Sequence, residues 1–335
     1  MPKIATIGSH SALQIVKGAK DEGFQTILIS TKKQAKIYTE LFPIADEVIT
    51  LDSYHDFFKV EDYLLKQEAI IVPHGSLVAY IDQQKHDQMK VKYFGNKDIL
   101  KWESNRQKQM DWLSRAGLTL PKIFDDYTQI DRPVIVKMYG AGGGSGYFFV
   151  SSREEFEQEM KTRQFDLNKI LIQEYIIGCP IYIHYFYSLL QDRLEILSLD
   201  RRYETNVDGI GRLTASTQMH LQMDPSFVVI GNSPLVVRES LLADLYEMGR
   251  NVVKISKEIC PTRGLYGPFC LETIVTPDQK FYVIEISARI VAGTNLFING
   301  SPYSDLIFDV PMSTGRRIAR EIKTSIEQNR LHEII

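Results

Sequence analysis

The sequence predicts a parallel α/β lobe followed by an α+β region. Three observations predict it. Over residues 1–95, short apolar runs alternate with stretches of helical spacing, the pattern of a parallel sheet flanked by helices. From Pro133 the texture changes to runs rich in Val, Ile, Tyr and Phe, which suit antiparallel strands. The chain has 335 residues, enough for two or three lobes that share a large core.

In order, "KIATIG" is an apolar strand ending at Gly8. "SALQIVKGAKDEG" follows with helical spacing of Leu13, Ile15, Val16 and Ala19, and Gly23 as its stop. "QTILIS", "EVITL" and "AIIVPHG" are further short strands. "DILKWESNRQKQMDWLSRAG" is one strong helix ending at Gly117. "PVIVKM", "YFFV", "KILIQEYI", "IYIHYFYSLL" and "RLEILSLD" are strands of an antiparallel sheet. "LLADLYEMGRNVVKISKEI" is a long helix, residues 267–287 a hairpin, and "TGRRIAREIKTSIEQNRL" an amphipathic closing helix.

Composition narrows the function. Hydrophobic residues make up 44% and charged residues 24%, as in an ordinary soluble enzyme. The net charge of −3 gives no global basic field for nucleic acid. No apolar run is long enough for a membrane span, and the N-terminus lacks a signal-peptide pattern, so a reducing cytoplasm is expected. Cys179, Cys260 and Cys270 form no CxxC pair, and a buried apolar role is expected for each.

The chemistry begins at "VIVKMYGAGGGSGYFFV", two strands joined by a loop with glycines at 140, 142, 143, 144 and 146. The spacing fits neither a Walker loop nor a dinucleotide fingerprint, and a strand rather than a helix follows. A lid over a triphosphate remains, its bare amides close to the phosphates and Lys137 supplying fixed charge. A loose surface hairpin is the plain alternative. In the hairpin, a turn centred on Pro277–Lys280 pairs Thr276 with Phe281 and sets Glu272 opposite Glu285. Two carboxylates so placed repel unless a cation lies between them, and Mg²⁺ takes one or two carboxylates plus phosphate oxygens. A one-residue slip would instead put one glutamate in solvent. Arg289, four residues on, is placed to reach a transferring phosphoryl group or to form a surface ion pair. "GSHSALQ" offers an anion site where a strand ends and a helix begins, with His10 in the turn. Ser11 and Gln14 also form a capping-box pattern, which leaves the role of Ser11 open.

Lys137, the glycine loop, "IQEYIIG" (172–178), Glu272 and "EISAR" (285–289) resemble the ATP-grasp superfamily. The resemblance implies an ATP-grasp fold behind an N-terminal parallel, Rossmann-like α/β lobe. It implies lobes at 1–95 and 96–335, the latter divided into a glycine-loop lid at 120–185 and a metal and substrate subdomain at 186–335. It implies ATP held by Lys137, Gly142, Gly143, Gly144, Gln173, Glu174, Tyr175 and Glu204, with Mg²⁺, or Mn²⁺ in its place, on Glu272 and Glu285. Lys137 and Arg289 would serve the phosphoryl transfer. The sequence departs from the superfamily at Ser287, where Asn is common, and in "GCPIYIHY", which lacks the usual Glu.

Longer segments (8–24, 93–106, 200–212, 229–242 and 285–304) resemble a family of archaeal formate-dependent ligases that formylate 5-aminoimidazole-4-carboxamide ribonucleotide (AICAR) in purine biosynthesis. That resemblance implies formate, AICAR and ATP as small-molecule substrates, no folate, and formyl phosphate as the activated species. It also implies AICAR contacts at His10, Ser11, Ser76 and Asn232, and a homo-oligomer in the cytoplasm. His74 is read as a loop histidine of no special role, and His184 as a satisfied sheet histidine or, alternatively, a residue near the formate. A paralogue joining another carboxylate to another amine, and a nucleotide-binding regulator without catalysis, are the alternatives.

Overall fold

The computed structural model describes residues 1–81, 83–138, 146–163, 166–221 and 224–335. The first sheet contains β1 (Ile4–Ile7), β2 (Thr26–Thr31), β3 (Glu47–Leu51), β4 (Ile70–Ile71) and β5 (Lys92–Tyr93). All of its pairings are parallel and its order is β3-β2-β1-β4-β5. Parallel strands need crossovers. The first of these contains helix α1 (Ala12–Asp21), and a short helix α2 (Gly75–Tyr80) follows β4. The "IATI" run is buried along its whole length, as a strand covered on both faces must be.

The helix expected between Asp98 and Gly117 is two helices, α3 (Lys97–Glu103) and α4 (Arg106–Arg115). Asn105 separates them: its side chain accepts from the Lys108 amide and starts a new helix. Next comes a four-stranded antiparallel sheet of β6 (Ile123–Phe124), β7 (Val134–Met138), β8 (Tyr147–Val150) and β9 (Ile170–Glu174), in the order β6-β9-β7-β8. With helix α5 (Arg153–Arg163) it encloses a core of its own, from Phe124, Val134 and Val136 to Phe156 and Ile172.

The third sheet, order β12-β11-β10-β13-β14, is antiparallel: β10 (Cys179–Ser188), β11 (Arg193–Glu204), β12 (Val229–Leu235), β13 (Gly267–Val275) and β14 (Phe281–Ser287). Its pairing starts at Cys179, so a lid boundary at 185 would fall inside β10. Helices α6 (Leu242–Ile259) and α7 (Thr314–Glu327) cover it. The largest core cluster runs from Ile4, Ile15, Ile70 and Phe94 of the first lobe into Ile183, Tyr185, Phe269 and Ile286 of this sheet and Ile318 and Ile322 of α7. The first lobe and the third sheet are therefore packed as one body. Among the described residues no helix is long and apolar enough to cross a membrane.

Candidate active site

The main cavity, of about 960 Å³, opens between the small lid sheet and the large antiparallel sheet. The volume is at the upper end for small-ligand sites. Lys137, Tyr147 and Tyr175 line it from the lid side. Glu204, Asn232, Glu272, Glu285 and Arg289 line it from the opposing sheet, and His10 closes one end.

The acidic pair is where the sequence puts it. Glu272 faces Glu285 in the β13–β14 ladder. The route differs from the expectation in two places that cancel. The turn is one residue longer, with Thr276 N donating to Lys280 O and Val275, not Thr276, opposite Phe281. A bulge then skips Ile284 between Thr273–Val283 and Glu272–Glu285, restoring the register. Burial first, then the neighbouring carboxylates of Glu272 and Glu103, push the Glu285 carboxyl above the usual carboxylate range. A divalent cation between the two carboxylates would relieve that mutual repulsion. Among the described residues no cluster of three His, Cys, Asp or Glu forms a protein-only cage. Two carboxylates with the rest of the shell left to phosphate and water fit Mg²⁺ or Mn²⁺. Glu272 meets Arg202 at 2.9 Å.

Three further cations, besides Arg202, face this pair. Lys137, one residue before the end of β7, is half-buried, and its desolvation followed by the charge of Arg106 lowers its pKa to about 8. Arg106, which the sequence reading missed, opens α4 and acts on the charges of both Lys137 and Glu285. Its signal was the α3–α4 break. Arg289 is held from behind: its Nη2 meets Glu103 at 3.1 Å, and the other Glu103 oxygen accepts from Ala288 N at 2.8 Å. Glu103 was also missed; it lies on the far side of the same break.

At the closed end, His10 Nδ1 lies 2.8 Å from Ser11 Oγ. Burial first, then the His74, Arg289 and Arg202 charges, lower the His10 pKa to about 3, so its ring is neutral. Ser11 is buried behind His10, is not in the cavity wall and makes no side-chain cap. The capping box fails because Gln14 reaches instead to Thr294, Asn295 and the Gly315 amide. Ser76 lies outside the wall, its hydroxyl 2.6 Å from Ser9 Oγ. His74 is no idle loop residue. Its Nε2 meets Ile7 O at 2.9 Å and its Nδ1 accepts from the Ser76 amide, capping α2.

The expected ATP contacts Gln173, Glu174 and Tyr175 lie at or just past the end of β9. Gln173 is buried within the lid sheet, and the Glu174 carboxylate takes Lys122 N and Arg132 on the sheet's outer face. The residues that reach the cavity are Tyr175 through Pro180. Tyr175 packs its ring on Phe149 at 4.4 Å between centroids. Cys179 is exposed there, against expectation, because it opens β10 at the cavity edge; Cys260 and Cys270 are buried. Burial raises Glu204 to about 7. Gly142, Gly143 and Gly144 lie outside the described residues.

Comparison with known proteins decides the family. The chain is 53% identical, over 100% of both sequences, to the 5-formaminoimidazole-4-carboxamide-1-(beta)-D-ribofuranosyl 5'-monophosphate synthetase of Pyrococcus horikoshii. The chain belongs to this synthetase family. A synthetase of the same description from Sulfurisphaera tokodaii is 46% identical over 99% of both chains. Residues 149–335 match a family described as "Domain of unknown function (DUF1297)", and residues 4–124 one described as "Protein of unknown function (DUF1246)". Among solved structures, an IMP biosynthesis protein PurP from Thermococcus kodakaraensis superposes with a TM-score of 0.76 at 31% identity, covering 99% of each chain. The ADP complex of an N5-carboxyaminoimidazole ribonucleotide synthetase gives 0.69 at 13% identity, covering 96% of this chain and 76% of that one, a likeness of fold alone. The synthetase fold is thus the ATP-grasp arrangement of a parallel lobe and two antiparallel sheets around a cleft.

Proposed function

We infer that this synthetase formylates AICAR with formate and ATP, giving the 5-formamido nucleotide, ADP and phosphate. The observation that carries the reading is the full-length 53% identity to a synthetase of that product. The cleft supports it, because cations and paired acids from two sheets face one space of about 960 Å³.

Formate is a resonance-stabilised anion and a poor electrophile. Phosphorylation by ATP would convert it to formyl phosphate; the AICAR amine would then attack the formyl carbon, lose its proton and expel phosphate. Lys137, Arg106 and Arg289 would hold the triphosphate and meet the charge that builds on the transferring phosphoryl group. Glu272 and Glu285 would hold the divalent cation. Bound there, it would neutralise oxygen charge in the transfer. Glu103 would keep Arg289 aimed into the cleft. Residues 175–180 would flank the adenine, and Glu204 would approach the same nucleotide. His10 would meet AICAR as a neutral ring fixed by Ser11, with Ser76 acting behind it through Ser9. Closure of the lid sheet on the large sheet would keep water from formyl phosphate.

The test is ADP release by purified protein with formate, AICAR and ATP, each withheld in turn and with no folate added. Turnover is expected only with all three, and turnover without formate would defeat the reading. Glu285→Gln is expected to lower kcat by at least about a hundredfold while the circular dichroism spectrum is unchanged. Near-normal activity would remove Glu285 from the metal site.

A further inference from the structure

Asn232 reaches the cleft from β12, and its amide is not free to turn. Its Nδ2 lies 2.7 Å from Asp200 Oδ2 on β11. The other oxygen, Oδ1, lies 2.6 Å from His184 Nε2 on β10. A carboxylate only accepts, so both neighbours must present N–H to it. His184 therefore carries a proton on Nε2, and Asn232 points its nitrogen into the sheet. Side-chain amides are ordinarily ambiguous in this respect; here the acceptor between them removes the choice.

The arrangement is sealed. Asp200 and His184 are buried. The 3₁₀ turn Ala292–Phe297 lies directly on the carboxylate, since a Cβ on Gly293 would stand only 2.3 Å from Asp200 Oδ1. With nitrogen committed inward, Asn232 offers the cleft its Oδ1, an acceptor that no donor of the described residues meets.

We propose that Asp200, anchored by His184, is a specificity-positioning residue: it locks the Asn232 amide oxygen-outward, so that the cleft selects a ribonucleotide whose 4-substituent donates an N–H, the primary carboxamide. The proposal rests on the AICAR reading given above. A carboxylate at that position has nearly the same shape, and a methyl ester adds one methyl; each brings lone pairs against a lone pair. A site built to accept one hydrogen bond rejects analogues that lack the donor far better than it rejects a change of size.

The test compares three nucleotides by calorimetry on the wild-type protein: the 4-carboxamide, the 4-carboxylate and the neutral 4-methyl ester. The ester is expected to bind at least about tenfold more weakly than the carboxamide. Asp200→Asn is nearly isosteric. Its amide oxygen stays on His184, so its NH₂ faces Asn232, which must turn over and present N–H to the ligand. The ester-to-carboxamide ratio of Kd and KM is expected to narrow by about tenfold, with kcat for bound AICAR changed less. Asn232→Ala is expected to weaken the carboxamide without improving the ester. A purely structural role would move stability and leave these ratios alone. Equal wild-type affinity for ester and carboxamide overturns the proposal without any variant, as does a folded Asp200→Asn protein with the wild-type ratio. If wild type neither binds nor turns over the carboxamide nucleotide, the AICAR reading falls and the proposal with it.

Discussion

Lys137 is a charged residue held where charge is disfavoured. Its pKa is lowered to about 8 by burial, against an ordinary value near 10.5. In the unfolded chain the amine keeps its proton to higher pH than in the folded one. Below about pH 8 both states are protonated and the folded state bears the full cost. Between about 8 and 10.5 only the unfolded state holds the proton, so stability recovers as pH rises. Lys137→Met is therefore expected to stabilise the ligand-free protein at pH 7 by on the order of 1–3 kcal/mol, read as a higher melting temperature, with the gain gone near pH 10.5. The same variant is expected to lose kcat about a hundredfold or more, and wild-type KM for ATP is expected to climb above pH 8. Thermal melts over pH and ATP-dependent kinetics check these together. The places of Lys137, Glu285 and Arg289 in the cavity wall were legible because each lies on, or just after, a strand signal in the sequence. The inward turn of Gln14 was not, since its partners lie some 280 to 301 residues further along. The Ser11–Gln14 pattern is real, and tertiary bonding outbids it.

At the scale of elements, the strands and their type were readable from alternation and composition, while their irregularities were not. The bulge at Ile284 adds a single residue and leaves no mark in composition. The α3–α4 break depends on one Asn in a run that otherwise keeps helical spacing. That break matters, because it delivers Glu103 and Arg106 to the site from two helix ends. Another element pair is set by near-contact of backbones. Helix α1 crosses α7 so closely that a Cβ on Gly18 would stand 2.2 Å from Arg316 N. No rotamer change relieves a clash with backbone, so the helices must part. Gly18→Ala is expected to destabilise the protein by about 1–3 kcal/mol. Because α1 follows directly from the His10 turn, KM for AICAR is expected to rise more than KM for ATP. Chemical denaturation and paired KM measurements read out the two effects.

At the scale of the molecule, the cores divide it unequally. The lid sheet has its own cluster around Phe124, Val136 and Phe156. The parallel lobe shares a cluster with the large sheet. Separate cores permit separate opening. Amides of β6–β9 are expected to exchange with solvent through a lower-energy opening than those of β10, β11 and β13, and a non-hydrolysable ATP analogue with Mg²⁺ is expected to slow the lid amides selectively. Hydrogen-exchange mass spectrometry decides this; uniform protection across both regions would mean a single cooperative unit. The shared cluster has the opposite consequence for the amino-terminal lobe. Cut out on its own, it would bare Ile4, Ile15, Ile70 and Phe94 to water. It is therefore no portable cassette, and any change of nucleotide preference on that side has to come by substitution in place rather than by exchange of modules.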